Sequence, residues 1–443
     1  MVPDQRTEPN ERPLGRAVPW LALASLLLLF ANGRNTIPIA AWLAPVFLLR
    51  WVRSQGAWRG LTIAWLVLSA TWTFQFRGMA PLPGVIYFIL AAVYGLVGIL
   101  PFALDKILLS RPRDLKATLV FPSAWVATEY MVAQFTPYGS WGSAAYTQYE
   151  SLTLLQVLSL TGIYGVTFLI GWFAALCNWM WELDFKWPEM RRGVIGFGAV
   201  MAMVLIYGSV RLAMFPIDAP TVRVASLTRP DINLFTDPEV EQRAFTGSLT
   251  EGEKEEVRRL GDRINEDLMR RAETEARAGA KIIFWGETNS FVFKDDEPAL
   301  IQRGAELARA QEVYLGIAVG TWNGANNKPL ENKLVLIDPD GSVVWEMWKA
   351  RPVPGPEAAI SALDDGRIKS SATPYGNVGG AICFLILMTV ATNSTAPEAA
   401  IRWPIIDLFE LIFSELACSP NTFTIAALSH LSLRGVDVPW ALM

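Results

Sequence analysis

Three residues whose side chains could do chemistry stand at the ends of strand-like runs. Glu287 follows one apolar run, Lys349 ends a second and Cys383 ends a third. A thiol that attacks a carbonyl needs a base to take its proton and a donor to hold the oxyanion that forms. A carboxylate and an ammonium can supply these functions, so the three residues are a candidate set for nucleophilic catalysis.

Each of these residues also has an ordinary structural explanation. Glu287 fits a helix N-cap or a turn equally well, and Cys383 fits a small buried hydrophobic residue. Counting by twos along the strand places Lys349 on one face with Val343, Trp345 and Met347. An ammonium on an apolar face is costly unless a carboxylate or an oxyanion meets it. The alternative is a lysine that has left the strand into solvent, and the pattern alone leaves both open.

The composition indicates a membrane part joined to a water-soluble part. Hydrophobic residues make up 52% of the 443, charged residues 18%, and the mean hydropathy is +0.29. The net charge is -4 and no basic cluster is interleaved with aromatics, so we expect no nucleic-acid partner. Three cysteines and one histidine offer neither a disulfide framework nor a histidine zinc site. We therefore expect no metal and no cofactor.

Apolar runs organise the first half of the chain. Residues 1–18 are polar and charged and are predicted to be a cytoplasmic tail. Residues 19–216 are predicted to be a transmembrane domain of about seven helices, because several runs approach the ~20 residues that a spanning helix needs. The shorter runs also fit buried core helices. The seven runs cover residues 17–31, 38–49, 60–76, 84–104, 117–134, 152–181 and 193–210.

The distribution of positive charge predicts the direction of these helices. Thirteen Lys and Arg residues fall on the side of the N-terminus and two, Arg34 and Arg77, on the other. Cytoplasmic loops carry the excess of positive charge, so the chain after the seventh helix should lie outside. The loop 135–149 falls on that outer side; its aromatic residues fit either an aromatic belt or a substrate site.

The second half reads as an α/β domain over residues 217–384. We predict strands at 222–226, 282–285 and 313–319, helices at 251–278 and 297–311, and a hairpin of strands 333–337 and 343–349 around Asp338–Gly341. This order favours a mixed sheet covered by helices. Residues 385–443 form an atypical C-terminal tail, with one candidate helix near 404–417.

Three motifs in this half resemble the Glu, Lys and Cys motifs of the nitrilase (carbon–nitrogen hydrolase) superfamily. They are Trp285-Gly-Glu287, Lys349-Ala-Arg-Pro-Val-Pro-Gly-Pro-Glu357 and Gly380-Ala-Ile-Cys383. Segments 122–129, 141–148 and 162–169 resemble the membrane domain of the apolipoprotein N-acyltransferases. The resemblance implies a multi-pass α-helical membrane domain and an extracytoplasmic αββα sandwich, incomplete at its C-terminal end.

The resemblance also implies a reaction and its participants. Glu287 would be the general base, Cys383 the nucleophile and Lys349 the oxyanion donor, with Glu357 orienting the lysine. An acyl chain would pass from a phospholipid, through a thioester, to the N-terminal amine of a diacylglyceryl-cysteine lipoprotein. The implied setting is the lipid bilayer of the bacterial inner membrane, with the protein a monomer.

The resemblance stops at Phe384. Leu385 stands where the family carries an acidic residue, and the strands that close the sheet are hard to find after it. A shifted reading frame from codon 385 is one hypothesis for this ending. Two other functions remain open: a membrane-tethered amidase that uses the same residues, and a non-catalytic relative that binds lipid or lipoprotein.

Overall fold

A computed structural model describes residues 14–77, 84–109, 114–136, 139–214, 221–235, 237–245, 248–352, 356–367, 369–382 and 424–429. The chain forms two compact units that divide between Pro216 and Ile217. The first unit is helical, and the second contains the strands.

Each predicted apolar run contains helix. The helices of the first unit are α1 (Leu14–Leu28), α2 (Pro38–Ser54), α3 (Ala57–Gln75), α4 (Gly84–Leu108), α5 (Val120–Phe135), α6 (Leu152–Leu155), α7 (Leu158–Thr161), α8 (Ile163–Glu182) and α9 (Trp187–Met214).

The sixth run, predicted as one span over 152–181, is not continuous. Two short helices, α6 and α7, precede Gly162, and the long helix α8 begins only after it. Gly162 has φ +60°, a backbone conformation that glycine adopts without a steric penalty and that interrupts a helix. The prediction of a single helix over this run is therefore wrong.

In the part of the chain that the structure describes, three helices are long and apolar enough to cross a membrane by length and composition: α4, α8 and α9. Large apolar side chains of α4 stand exposed on its surface, among them Val85, Phe88 and Ile107. Such a surface is unfavourable in water and favourable in lipid. The count of about seven spans stays a prediction.

Charged residues tie the C-terminal ends of α2, α4 and α8 together. Arg53 of α2 forms a salt bridge with Asp105 of α4 (2.8 Å), and Lys106 donates to the carbonyl of Gln55 (2.6 Å). Arg50 pairs with Glu182 at the end of α8. These three helix ends carry charges that the sequence assigns to one side of the membrane, so their meeting is consistent with that assignment.

The loop between α5 and α6 packs into the helical unit. Glu129 of α5 accepts hydrogen bonds from Ser143 Oγ (2.8 Å), the Ala144 amide (2.9 Å) and Thr167 Oγ1 (2.8 Å). Tyr146, in the same loop, is buried. The described part of this loop is thus an internal element, which the aromatic-belt interpretation did not predict.

Two sheets form the core of the second unit. The strands are β1 (Val224–Leu227), β2 (Ile282–Trp285), β3 (Ser290–Phe293), β4 (Tyr314–Trp322), β5 (Leu330–Ile337), β6 (Val343–Trp348), β7 (Ser370–Thr373), β8 (Gly376–Ile382) and β9 (Thr424–Ser429). The larger sheet has the order β1-β2-β4-β5-β6, with β3 beside β4; the smaller has the order β7-β8-β9. Strands β1, β2 and β4 are parallel, and β5 and β6 are antiparallel.

The two sheets pack face to face. A Cβ placed on Gly380 of β8 would come within 2.9 Å of Trp345, Leu334 and Met347 of the larger sheet. Only a glycine lets the strands approach this closely without moving those side chains. Helices α11 (Glu251–Arg277) and α12 (Glu297–Gln311) also pack on the larger sheet, and Gly304 of α12 contacts Ile317 and Ile337.

The sequence predicted the long elements of this unit well. Thr250 and Glu253 form a capping box that starts α11, and α12 covers the residues predicted for it. The hairpin turns at Gly341, which has φ +79°. The mixed sheet covered by helices is confirmed; the second outer helical layer of an αββα sandwich stays a prediction.

Several short elements were not predicted: β3, β7, α10 (Pro238–Phe245), α13 (Pro356–Ile360) and β9. Strand β9 lies in the C-terminal tail and pairs antiparallel with β8. The candidate helix near 404–417 lies outside the described residues.

Candidate active site

Glu287 lies in the turn between β2 and β3. The turn is held because the Gly286 amide donates to the Leu227 carbonyl (2.8 Å) and the Asn289 side chain donates to the same carbonyl (3.2 Å). Thr288, the next residue, has φ +50°. This conformation is unusual for a β-branched residue and costs of order 1–3 kcal/mol. Glu287 therefore lies in a turn and not at a helix N-cap, and the turn stores backbone strain beside the carboxylate; its role as a base stays a prediction.

Lys349 is buried among acidic groups. It follows β6, its amide donates to the Asn332 carbonyl (2.8 Å), and the residue is 2% exposed. Its Nζ lies 2.8 Å from Glu287 Oε1 and 2.6 Å from Glu357 Oε1. The alternative of a lysine in solvent is wrong.

Two of the three residues predicted to share a strand face with Lys349 are buried beside it. Trp345 and Met347 are buried on this face, as expected from the period of two. Val343 was predicted on the same face but is exposed, because the pairing register shifts between Leu336 and Ile337 opposite the start of β6. Such an irregularity redirects the side chains on one side of it.

Glu357 is carried by the short helix α13. The end of α13 is attached to β5, because the Ala362 amide donates to the Leu330 carbonyl (2.8 Å). This attachment holds Glu357 next to Lys349, although eight residues separate them in the chain.

One ammonium between two carboxylates leaves an excess of one negative charge when all three groups are ionised. Glu287 is 7% exposed, and its burial raises the pKa of the carboxyl above its ordinary value, against the opposing effect of the Lys349 ammonium. The charge of Glu357 raises that pKa further. A buried carboxylate in this setting is a good acceptor for a proton.

Cys383 is the residue that follows the last described residue of β8, and it lies outside the described residues. Val378, Gly380 and Ile382 of β8 are the strand residues that face inward. The structure thus brings Glu287, Lys349 and Glu357 together and describes the strand that leads to Cys383.

Sequence reasoning missed one residue of this cluster, Asn332 of β5. Its Nδ2 donates to Glu287 Oε1 (2.7 Å). The predicted hairpin strand 333–337 begins three residues after the observed start of β5 at Leu330, and therefore leaves Asn332 out. Counting back by twos from the apolar Leu334 would have placed Asn332 on the inner face.

The helical unit matches a known protein family over most of its length. Residues 18–176 match the family model described as the apolipoprotein N-acyltransferase N-terminal domain. The chain is similar to the apolipoprotein N-acyltransferases. A protein of that name from Geobacter metallireducens is 25% identical over 397 residues, which cover 82% of this chain and 68% of that protein. The resemblance to the apolipoprotein N-acyltransferases noted in the sequence is confirmed.

Solved structures match part of the chain at low similarity. An amidase of the nitrilase superfamily from Nesterenkonia sp. AN1 is 14% identical, with 26% of this chain and 48% of that chain covered and a TM-score of 0.23. A carbon–nitrogen hydrolase from Helicobacter pylori is 13% identical, with 25% and 45% covered and a TM-score of 0.22. The chain spans about half the length of these structures, and TM-scores this low carry no argument about its fold or reaction.

Proposed function

We propose that this chain is an acyltransferase that moves an acyl chain from a phospholipid to the N-terminal amine of a diacylglyceryl-cysteine lipoprotein. The similarity to the apolipoprotein N-acyltransferases supports an acyltransferase. The observation that carries the proposal is the buried contact of Lys349 Nζ with Glu287 (2.8 Å) and Glu357 (2.6 Å). A lysine held in this way can accept a developing negative charge without leaving its place.

In the first half of the reaction, Glu287 takes the proton of the Cys383 thiol. The thiolate attacks the ester carbonyl of the phospholipid, and the Lys349 ammonium stabilises the oxyanion. When the tetrahedral intermediate collapses, the C–O bond breaks and Glu287 returns its proton to the leaving alcohol. The products are a thioester on Cys383 and a lysophospholipid.

In the second half, the amine of the lipoprotein attacks the thioester. Glu287 takes a proton from the attacking nitrogen, Lys349 again holds the oxyanion, and the C–S bond breaks. The acyl chain ends in an amide, and the thiol is regenerated by the proton from Glu287. Glu357 contributes by holding Lys349 beside Glu287, so that neither step has to reorganise the lysine.

The proposed setting is the bacterial inner membrane. Residues 1–18 would be a cytoplasmic tail, 19–216 a multi-pass helical domain and 217–384 an extracytoplasmic domain. Both substrates are lipids, so a membrane domain would keep the reacting groups at the level of the outer headgroups. The apolar surface of α4 supports contact with lipid.

The direct test is acyl transfer by the full chain reconstituted in phospholipid vesicles. The acceptor is a synthetic peptide with an N-terminal diacylglyceryl-cysteine, and the same peptide with its amine acetylated is the control. Mass spectrometry should show one added acyl chain on the free amine and none on the acetylated peptide. A folded protein that leaves the free peptide unmodified would contradict the proposal.

The same preparation separates the other candidate functions. Release of ammonia from small amides, without acylation of the peptide, would instead indicate an amidase. Binding of the peptide or phospholipid without turnover of either would indicate a non-catalytic relative.

A further inference from the structure

Asn332 connects the two charged residues of the proposed site. Its side chain donates to Glu287 Oε1 (2.7 Å), and its carbonyl accepts from the Lys349 amide (2.8 Å). The residue is 1% exposed, so water does not compete for these bonds. A hydrogen bond to a charged group is among the stronger ones in proteins.

The strand that carries Asn332 is fixed from its other face. Glu331 binds Lys294 (2.8 Å), and both Lys294 and Lys333 bind Glu297 of α12. Successive strand residues point to opposite faces, so these ion pairs hold β5 against α12 while Asn332 faces the smaller sheet. The backbone that carries the Asn332 side chain is thereby held in place.

The hydrogen bonds divide the two oxygens of Glu287 into different roles. Asn332 Nδ2 and Lys349 Nζ both contact Oε1. Among the described residues, no hydrogen bond reaches Oε2. An oxygen that already accepts two donors is a poor proton acceptor, whereas the other oxygen keeps its lone pairs.

From this geometry we infer that Asn332 is a positioning residue that commits Oε1 of Glu287 to Lys349 and leaves Oε2 to exchange protons with the thiol and the substrates. The inference rests on the proposed function. Asn332 does not titrate, so it holds the carboxylate in one orientation at every pH at which the enzyme works. It also favours the ionised form of Glu287, to which it donates.

The test compares Asn332→Ala with Ser290→Ala. Ser290 donates a buried hydrogen bond to Asn265 (2.6 Å) and lies outside the charged cluster, so its loss reports the cost of losing any buried bond in this unit. Two rates are measured against pH on the full chain in detergent: acyl transfer to the peptide, and alkylation of the Cys383 thiol by iodoacetamide.

We expect Asn332→Ala to lower kcat/KM for acyl transfer roughly tenfold or more, which is the scale of losing a hydrogen bond to a charged group. Both rates should fall as the pH is lowered, and this fall is the acid limb of each pH profile. We expect the acid limbs to move to higher pH by about one unit in Asn332→Ala, because the ionised Glu287 carboxylate has lost a hydrogen-bond donor. Ser290→Ala should leave both limbs in place. If the acid limbs of both pH profiles stay in place in Asn332→Ala, the inference is overturned.

A second variant covers the case in which Asn332→Ala does not fold. Asn332→Asp keeps the size of the side chain and adds a third carboxylate to the cluster, beside Glu287, so the acid limbs of both profiles should again move to higher pH. If the wild-type protein alkylates with the expected profile but transfers no acyl chain, the proposed function fails and the role of Asn332 is still decided by alkylation.

Discussion

Lys349 and its two carboxylates set the behaviour of the site at the scale of single residues. The lysine is enclosed, and its contacts at 2.8 Å and 2.6 Å leave the cluster one positive charge short of neutrality. A cluster of this kind binds a proton more readily than an isolated carboxylate does.

The pH dependence of the proposed reaction should follow from Glu287, the proposed base. Its pKa is raised by burial, and the base must be ionised to accept the thiol proton. We therefore predict that the rate of acylation of Cys383 falls as the pH is lowered, with an acid limb above the ~4.3 of an ordinary glutamate. A profile that stays flat down to the ordinary value would contradict the assigned base.

The same shift has a consequence for stability, with the sign fixed by linkage. A raised folded-state pKa contributes stability below the unfolded pKa, and this contribution is lost as the pH rises through the folded pKa. The wild-type protein should therefore lose stability relative to Glu287→Gln as the pH is raised through this window. Thermal unfolding of both proteins in detergent at a series of pH values measures the difference.

Removing the ammonium should be more damaging than removing one carboxylate. Lys349→Met would leave Glu287 and Glu357 facing each other without a cation, which costs about 3–5 kcal/mol for a broken buried pair. The cost should shrink at low pH, where the carboxyls take up protons. Thermal unfolding of the variant at neutral and acidic pH tests this; an unchanged midpoint at neutral pH would count against the buried cluster.

Residue-scale features were predictable only where they follow from local periodicity. The period of two places Lys349 on the face of Trp345 and Met347, but its burial is known only from the structure, because the pattern left a lysine in solvent equally open. The Asn332 bond and the positive φ of Thr288 depend on neighbours that are distant in the chain, and no local pattern encodes them.

At the scale of elements, the close approach of β8 to the larger sheet determines where the strand before Cys383 lies. A Cβ at Gly380 would come within 2.9 Å of Trp345, Leu334 and Met347, so this position has no room for a side chain. Gly380→Leu should force the two sheets apart and lower stability by about 1–3 kcal/mol, the usual cost of overpacking.

A matched control for this variant is Gly252→Ala in the first turn of α11. A Cβ at Gly252 meets nothing within 4 Å, so alanine should be neutral or stabilising by up to about 1 kcal/mol. Both variants are compared by thermal unfolding in detergent. Equal midpoints for Gly380→Leu and wild type would show that the sheets tolerate the larger side chain.

Long, periodic elements such as α11 and α12 could be predicted from sequence because their caps and apolar faces are local signals. Strand β9 could not, since Thr424–Ser429 has no alternation of its own and is a strand through its pairing with β8. The break at Gly162 was missed because apolar residues continue on both sides of it.

At the scale of the whole molecule, the positive charges predict which parts of the chain face the cytoplasm. We test this with single cysteines placed at exposed positions in a chain lacking Cys177, Cys383 and Cys418. A membrane-impermeant maleimide added to intact spheroplasts should label Glu251→Cys, in the second unit. It should label Lys186→Cys, between α8 and α9, only after the membrane is opened.

The reverse labelling pattern would place the second unit in the cytoplasm and remove the lipoprotein from its reach. Sidedness could be predicted from the sequence because it depends on charge counts. The structure of the tail after Phe384 could not be predicted from the sequence. A shifted reading frame there stays a prediction.

The proposed reaction passes through a thioester at Cys383, and this thioester can be measured directly. Full-length protein in membranes is incubated with phospholipid labelled in its acyl chain, then denatured and treated with neutral hydroxylamine, which cleaves thioesters. We predict label on the wild-type protein that hydroxylamine removes, and none on Cys383→Ala. Label that survives hydroxylamine, or that persists in Cys383→Ala, would contradict the account.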